Sequence, residues 1–196
     1  GACISVDSNG NVYSGGYFQS TVDFDPGPDS LVLEPVEVSA GYLHKLDSDG
    51  NFQWVRQLDV NGVLGAIRDL ELDSEGNIYV TGAFRDSLWF TDGVDSLLLE
   101  TNGWYDVFVA KYDPYGSVLW ARNFGGMVND EIFPEIEVYP NGTSIVYGKF
   151  EDTAYFGTGP SLDIVTTQGD QGAFLLKLDV DGELLSLGSM SGNGAV

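Results

Sequence analysis

His44 is the one histidine and Cys3 the one cysteine in a chain of 196 residues. A Ser/His or Cys/His nucleophilic system needs a base within hydrogen-bond reach of its nucleophile. Yet His44 sits at a strand phase that two related segments fill with Ala110 and Leu176, so it is expected to pack in a core. One thiol excludes an internal disulfide and any CxxC metal or redox pair, and no cofactor is expected. Acids are abundant, with 30 Asp and Glu against 8 Lys and Arg. Paired-carboxylate hydrolysis therefore has raw material, with Asp130 and Glu131 in an inter-repeat loop as candidates. Sequence spacing, however, does not define two carboxyls about 5 to 10 Å apart, so no catalytic residue is assigned. Asp47-Ser48-Asp49-Gly50 and Asp179-Val180-Asp181-Gly182 open like calcium loops. Such a loop runs about 12 residues to a bidentate Glu, whereas here a strand resumes at once, so hairpin turns are expected and no metal site.

The formal net charge of -22 removes the basic surface that nucleic acid and anionic membrane require. No stretch approaches the roughly 18 apolar residues of a membrane-spanning helix, so no membrane insertion is expected. An acidic coat suits a saline or calcium-containing exterior, and an extracellular or cell-surface location is expected.

The elements that must position any site repeat with a period of 66. Gly10, Gly76 and Gly142 keep that spacing, as do Phe18, Phe84 and Phe150, and Lys45, Lys111 and Lys177. Asp47, Asp113 and Asp179 keep step, while Trp54 and Trp120 are answered by Ser186. A period of this length marks solenoids and propellers. In the second copy Leu70-Glu71-Leu72-Asp73 alternates, Ser74-Glu75-Gly76-Asn77 turns, and Ile78 to Gly82 resumes as a strand. A second hairpin turns at Asp113-Pro114-Tyr115-Gly116. Each copy supplies four antiparallel strands, A to D, with a long B-to-C connection whose apolar stretches, Leu31-Val32-Leu33 and Leu97-Leu98-Leu99, are expected to pack and extend the strands. Such sheets bury their faces by stacking around an axis. The expected fold is an all-β β-propeller of three consecutive four-stranded blades, 1–66, 67–132 and 133–196, with a β-prism as the alternative. Three blades are fewer than the roughly four to eight that close a ring. The chain starts and ends at one phase of the repeat, so either further blades of a longer chain or self-association with a second copy is expected.

The run Gly76-Asn77-Ile78-Tyr79-Val80-Thr81-Gly82-Ala83-Phe84, then Asp106 to Asp113 and Gly116 to Trp120, resembles the bacterial β-propeller repeat (SBBP). The first copy carries the pattern in Gly10-Asn11-Val12-Tyr13 and in Lys45 to Gly50. The third departs, with Tyr139 in place of Asp, Thr143-Ser144 after its turn glycine, and Ser186 in place of Trp. The resemblance covers essentially the whole chain and implies a propeller of a large secreted or surface protein. The stretch from Asp23 to Pro28 is similar to those of Bacteroidetes surface proteins.

Residues that keep the period are expected to hold blades together. Lys45, Lys111 and Lys177 precede Asp47, Asp113 and Asp179 by two, a same-face spacing that predicts structural ion pairs. A ligand site breaks the period, which singles out Trp89, Trp104 and Tyr105 as candidates for stacking on sugar or peptide. Asp-Ser/Thr-aliphatic or Ala triplets at Ser30, Ser87, Ser96 and Thr153 resemble the O-glycan acceptor of Bacteroidetes and imply a glycoprotein. The leading expectation is a non-enzymatic scaffold or adhesion protein offering loops to a protein or glycan ligand. A lectin-like carbohydrate-binding module comes second and a polysaccharide-active enzyme third.

Overall fold

Alternation of apolar and polar residues between Asp-x-x-Gly turns gives eighteen strands and no helix among the described residues of a computed structural model, which are 2–61, 66–91, 96–101, 103–126, 134–156, 163–167 and 171–192. The first copy holds β1 (Cys3–Val6), β2 (Val12–Phe18), β3 (Val22–Asp23), β4 (Val32–Leu33), β5 (Ala40–Leu46) and β6 (Phe52–Asn61). The second holds β7 (Ala66–Leu72), β8 (Ile78–Phe84), β9 (Ser87–Thr91), β10 (Ser96–Glu100), β11 (Asp106–Tyr112) and β12 (Val118–Gly126). The third holds β13 (Glu135–Val138), β14 (Ser144–Phe150), β15 (Thr153–Phe156), β16 (Asp163–Thr166), β17 (Gln171–Leu178) and β18 (Leu184–Gly192).

Each copy thus has six strands where four were expected, because the B-to-C connection is itself a hairpin. It extends a sheet, but the sheet of the preceding copy. The orders are β1-β2-β5-β6-β9-β10, β7-β8-β11-β12-β15-β16 and β13-β14-β17-β18, with β3-β4 as a separate pair. Pairing is antiparallel throughout the sheets, so every blade but the last is sealed by its successor.

The core lies between sheets stacked face to face, an arrangement of propeller type and not of a prism. In β11 the alternation is explicit. Phe108, Ala110 and Tyr112 pack toward the first sheet with Tyr13, Leu43 and Leu58, while Val107 and Val109 pack toward the third with Val146, Phe174 and Leu176. The middle sheet is therefore apolar on both faces, and β8 and β11 are buried at every residue. Burying one such side chain contributes about 1.5 to 3 kcal/mol.

The turns follow one design. The Asp73 N–H donates to Asn77 and the Gly76 N–H donates to Asp73, both at 3.1 Å, with Gly76 at φ 80°. That dihedral is open to glycine and costly for a residue with a Cβ.

Candidate interaction surface

On the face each blade turns to the next, the periodic Trp and Arg grip a turn by its carbonyl oxygens. The Trp54 Nε1–H donates to Pro114 at 3.4 Å, and Trp120 repeats the bond to Val180 at 3.0 Å. Arg56 donates to Gly116 at 2.7 Å and Tyr115 at 3.0 Å, and Arg122 donates to Asp181 at 3.3 Å. Each guanidinium lies against its own indole, 5.2 Å away in the first blade and 5.8 Å in the second. Lys45 adds a bond to the Pro114 oxygen at 3.1 Å. These periodic residues join blades.

The expected Lys–Asp pairs at i, i+2 are not what the structure shows. Lys111 pairs with Asp73 at 3.6 Å, both side chains buried, and lies 4.9 Å from the Tyr79 ring. A bulge between Lys111 and Tyr112 breaks the two-residue alternation before Asp113, so Lys111 reaches the turn of the adjoining hairpin instead.

The acidic turns spend their carboxylates on themselves. Asp47 Oδ1 accepts the N–H groups of Asp49 and Asn51, both at 2.9 Å, and Oδ2 accepts from the Asn51 amide at 3.0 Å. Bonds from the Asn51 side chain and backbone hold Asp47 below the usual carboxylate range. Asp179 accepts from Asp181 and Glu183 in the same way, both at 2.9 Å. In the third copy Tyr139 replaces this Asp, and Asn141 Oδ1 takes over part of its role by accepting from the Thr143 N–H at 3.1 Å. Among the described residues no group of three or more His, Cys, Asp or Glu could hold a metal ion. Burial and the nearby Asp69 push the Cys3 thiol up to about 12, which leaves it a poor nucleophile. His44 is half-buried and stacks on Phe52 at 5.7 Å, and burial lowers its pKa. Asp130 and Glu131 lie outside the described residues.

What remains is the outer rim of hairpins. Leu88 and Phe90 of β9 are fully buried, so alternation turns Trp89 outward. Across the strand it faces Leu98, also exposed. The same register sets Tyr155 opposite the exposed Ile164 on β15–β16, and Asp23 opposite Val32 on β3–β4. Sequence reasoning found Trp89 but not Leu98, Tyr155 or Ile164. The missing signal was the hairpin, since its cross-strand register is what makes these residues partners.

Trp104 precedes β11, is 57% exposed, and carries the Arg85 guanidinium 4.6 Å from its ring centre. Tyr105 beside it is half-buried, and Trp89 sits on a separate element. Ser30 and Ser96 are exposed, Ser87 and Thr153 are partly covered, and the Thr153 hydroxyl bonds Thr166 at 3.1 Å.

Sheets of four antiparallel strands stacked face to face, the first two each sealed by the hairpin of the following copy, decide the architecture. The repeats are propeller blades. No family model matches the sequence. The chain is 31% identical over 175 residues to an uncharacterised WD repeat-containing protein of Acanthamoeba polyphaga mimivirus, covering 80% of this chain and 12% of that relative. The chain therefore spans a small fraction of the relative's length. The likeness supports a β-propeller repeat in general and does not single out the bacterial SBBP type.

Proposed function

We propose that the blades form a non-enzymatic scaffold whose outer rim binds a protein partner, in an extracellular or cell-surface setting. The observation that carries this is the outward Trp89–Leu98 pair, with Tyr155–Ile164 at the same place on the next hairpin. Exposed aromatic and aliphatic side chains on rigid strands are what anchors of protein interfaces look like. The likeness to the mimivirus relative, a WD repeat-containing protein, supports the propeller and a scaffold role. A net charge of -22 favours a partner with Lys and Arg around an apolar centre. Ser30 and Ser96 are the open positions for the O-glycan that the triplets suggest.

The test is crosslinking mass spectrometry of the immobilised chain against surface proteins of the producing organism, beside a Trp89→Ala/Leu98→Ser variant. Crosslinks at β9–β10 that vanish in the variant support the reading, and crosslinks unchanged by it overturn the rim. Trp104 favours the second reading, carbohydrate binding, because an exposed indole backed by a guanidinium suits stacking on a sugar ring. A glycan-array signal lost in Trp104→Ala selects that reading over the first.

A further inference from the structure

The first sheet ends on the rim at β10, and among the described residues β10 has β9 as its one strand neighbour. The parity of its hydrogen bonds is set just past its end. The Thr101 N–H donates to the Asp86 carbonyl at 3.0 Å, which makes 101–86 a hydrogen-bonded pair and, by antiparallel alternation, 99–88 and 97–90 as well. Ser96, Leu98 and Glu100, opposite Thr91, Trp89 and Ser87, therefore aim their N–H and C=O groups away from β9. The Glu100 carbonyl agrees, since Asn123 of β12 donates its side-chain N–H to it at 3.0 Å. Leu98 and Ser96 are left with outward backbone groups and no strand beside them.

This edge is unguarded. Open sheet edges are commonly blunted by Lys, Pro or a bulge, yet Ser96-Leu97-Leu98-Leu99-Glu100 contains neither residue and its register with β9 is unbroken. It is also open with a blade on either side of it, because β9 pairs with β6 of the first sheet and Glu100 is held by β12 of the second. Beside the edge runs a cross-strand row of Asp59, Trp89 and Leu98, the last two 42% and 41% exposed. β16 repeats the design one period on, where the Thr167 N–H donates to Asp152 at 2.7 Å and Ile164 is 60% exposed.

We propose that the rim takes its protein partner by strand addition. An extended segment of the partner pairs antiparallel with the outer edge of β10, exchanging hydrogen bonds with Leu98 and Ser96, and sets an apolar side chain beside Leu98 and a Lys or Arg, two residues earlier, beside Glu100. Strand addition rests on the rim being an interface, as proposed above, and gives the partner its chemistry. Main-chain bonds to an open edge supply affinity, and the side chains of alternate residues supply choice. The apolar side chain extends the Trp89–Leu98 row, as cross-strand neighbours do. The exposed Glu100 carboxylate and the charge of -22 draw a basic segment and repel a second copy of this chain from the same edge. The Glu100 carbonyl, already taken by Asn123, ends the ladder, so the added strand is short.

The test is amide hydrogen exchange by NMR on the 196-residue chain with the synthetic peptide acetyl-Lys-Val-Leu-Val-Lys-amide. Exchange at the Leu98 and Ser96 amides is expected to slow by about 10-fold once the peptide is at about ten times its Kd. N-methylation of the peptide's leucine, whose N–H faces β10, abolishes binding, whereas N-methylation of its second valine, whose N–H faces away, leaves binding intact. Leu98→Pro removes an outward N–H, a change an edge strand tolerates, and weakens binding by ~10-fold or more. Glu100→Gln weakens it by ~2- to 5-fold. A peptide that does not bind, or one equally weakened by either N-methyl group, overturns strand addition. So does a shifted Trp89 indole without slowed exchange at Leu98, which leaves a rim that binds through side chains alone. Slowed exchange at Leu98 with a doubled scattering mass in the absence of peptide puts a second copy on the edge and overturns the basic partner. Whether the rim binds protein at all is read separately, from the crosslinks at β9–β10.

Discussion

The indole Nε1–H of Trp120 donates to the carbonyl oxygen of Val180 at 3.0 Å, across the gap between the second and third blades. The same ring lies edge-on to Tyr79, whose hydroxyl donates to Gly142 at 2.9 Å. One side chain therefore fills the core and ties down the next blade. Trp120→Phe keeps an aromatic ring but gives up part of the indole's volume and loses the bond, at about 1 to 2 kcal/mol. Trp120→Ala opens a cavity as well and costs about 3 to 5 kcal/mol. Urea unfolding followed by Tyr and Trp fluorescence is the measurement, and a Trp120→Phe variant as stable as the parent would remove the bond from the account.

The periodic turns and the strand alternation were legible in the sequence, because each is a local pattern repeated in register. The seal between blades was not. β9 and β15 are short, and their partners β6 and β12 lie in the preceding copy, a pairing that no window of neighbouring residues records. The Lys111–Asp73 pair was missed for a related reason. A two-residue spacing implies a shared face only along an unbroken strand, and the bulge after Lys111 breaks it. Of the candidate site residues, Trp89 announced itself by disagreeing with Asp23 and Tyr155, but its partner Leu98 is defined by cross-strand register alone.

Lys111 and Asp73 form an ion pair with both side chains buried, and Asn77 donates to the same carboxylate oxygen at 2.8 Å. Removing one partner of a buried pair strands the other charge, at about 3 to 5 kcal/mol. Lys111→Met is therefore expected to destabilise far more than Lys45→Met, whose half-buried amine bonds a carbonyl oxygen. Chemical denaturation of the two variants side by side checks the ranking.

Gly126 ends β12 where it pairs with Ala154 of the sealing hairpin. A Cβ there would collide with the backbone carbonyl of Thr153. Backbone cannot swing aside as a flexible side chain can, so Gly126→Ala is expected to push β15–β16 off the edge of the second sheet. Hydrogen exchange should show lost protection across 153–156 and 163–166, with β8 and β11 unaffected. Uniform protection in the variant would mean that the hairpin is held by its own packing and not by the edge.

Two acidic groups respond to pH in opposite senses. Hydrogen bonds from Asn51 and the turn backbone lower the pKa of Asp47, so its contribution is present above its unfolded value, near 3.9, and is lost as the pH falls through the folded one. Burial, followed by the neighbouring charges of Asp69 and Glu137, raises the pKa of Glu71. Its contribution is complete below the unfolded value and is lost as the pH rises through the folded one. Glu71→Gln is therefore expected to match the parent at about pH 3.5, below the unfolded Glu value of about 4.3. It becomes the more stable protein as the pH rises, with the gap constant once the folded carboxyl has fully ionised. Asp47→Asn is expected to behave in the reverse sense, with its deficit shrinking as the pH falls. Urea midpoints for the three proteins between pH 3.5 and 8 separate these curves, and a Glu71→Gln difference that does not grow with pH would show that neither burial nor the charges of Asp69 and Glu137 raise its pKa.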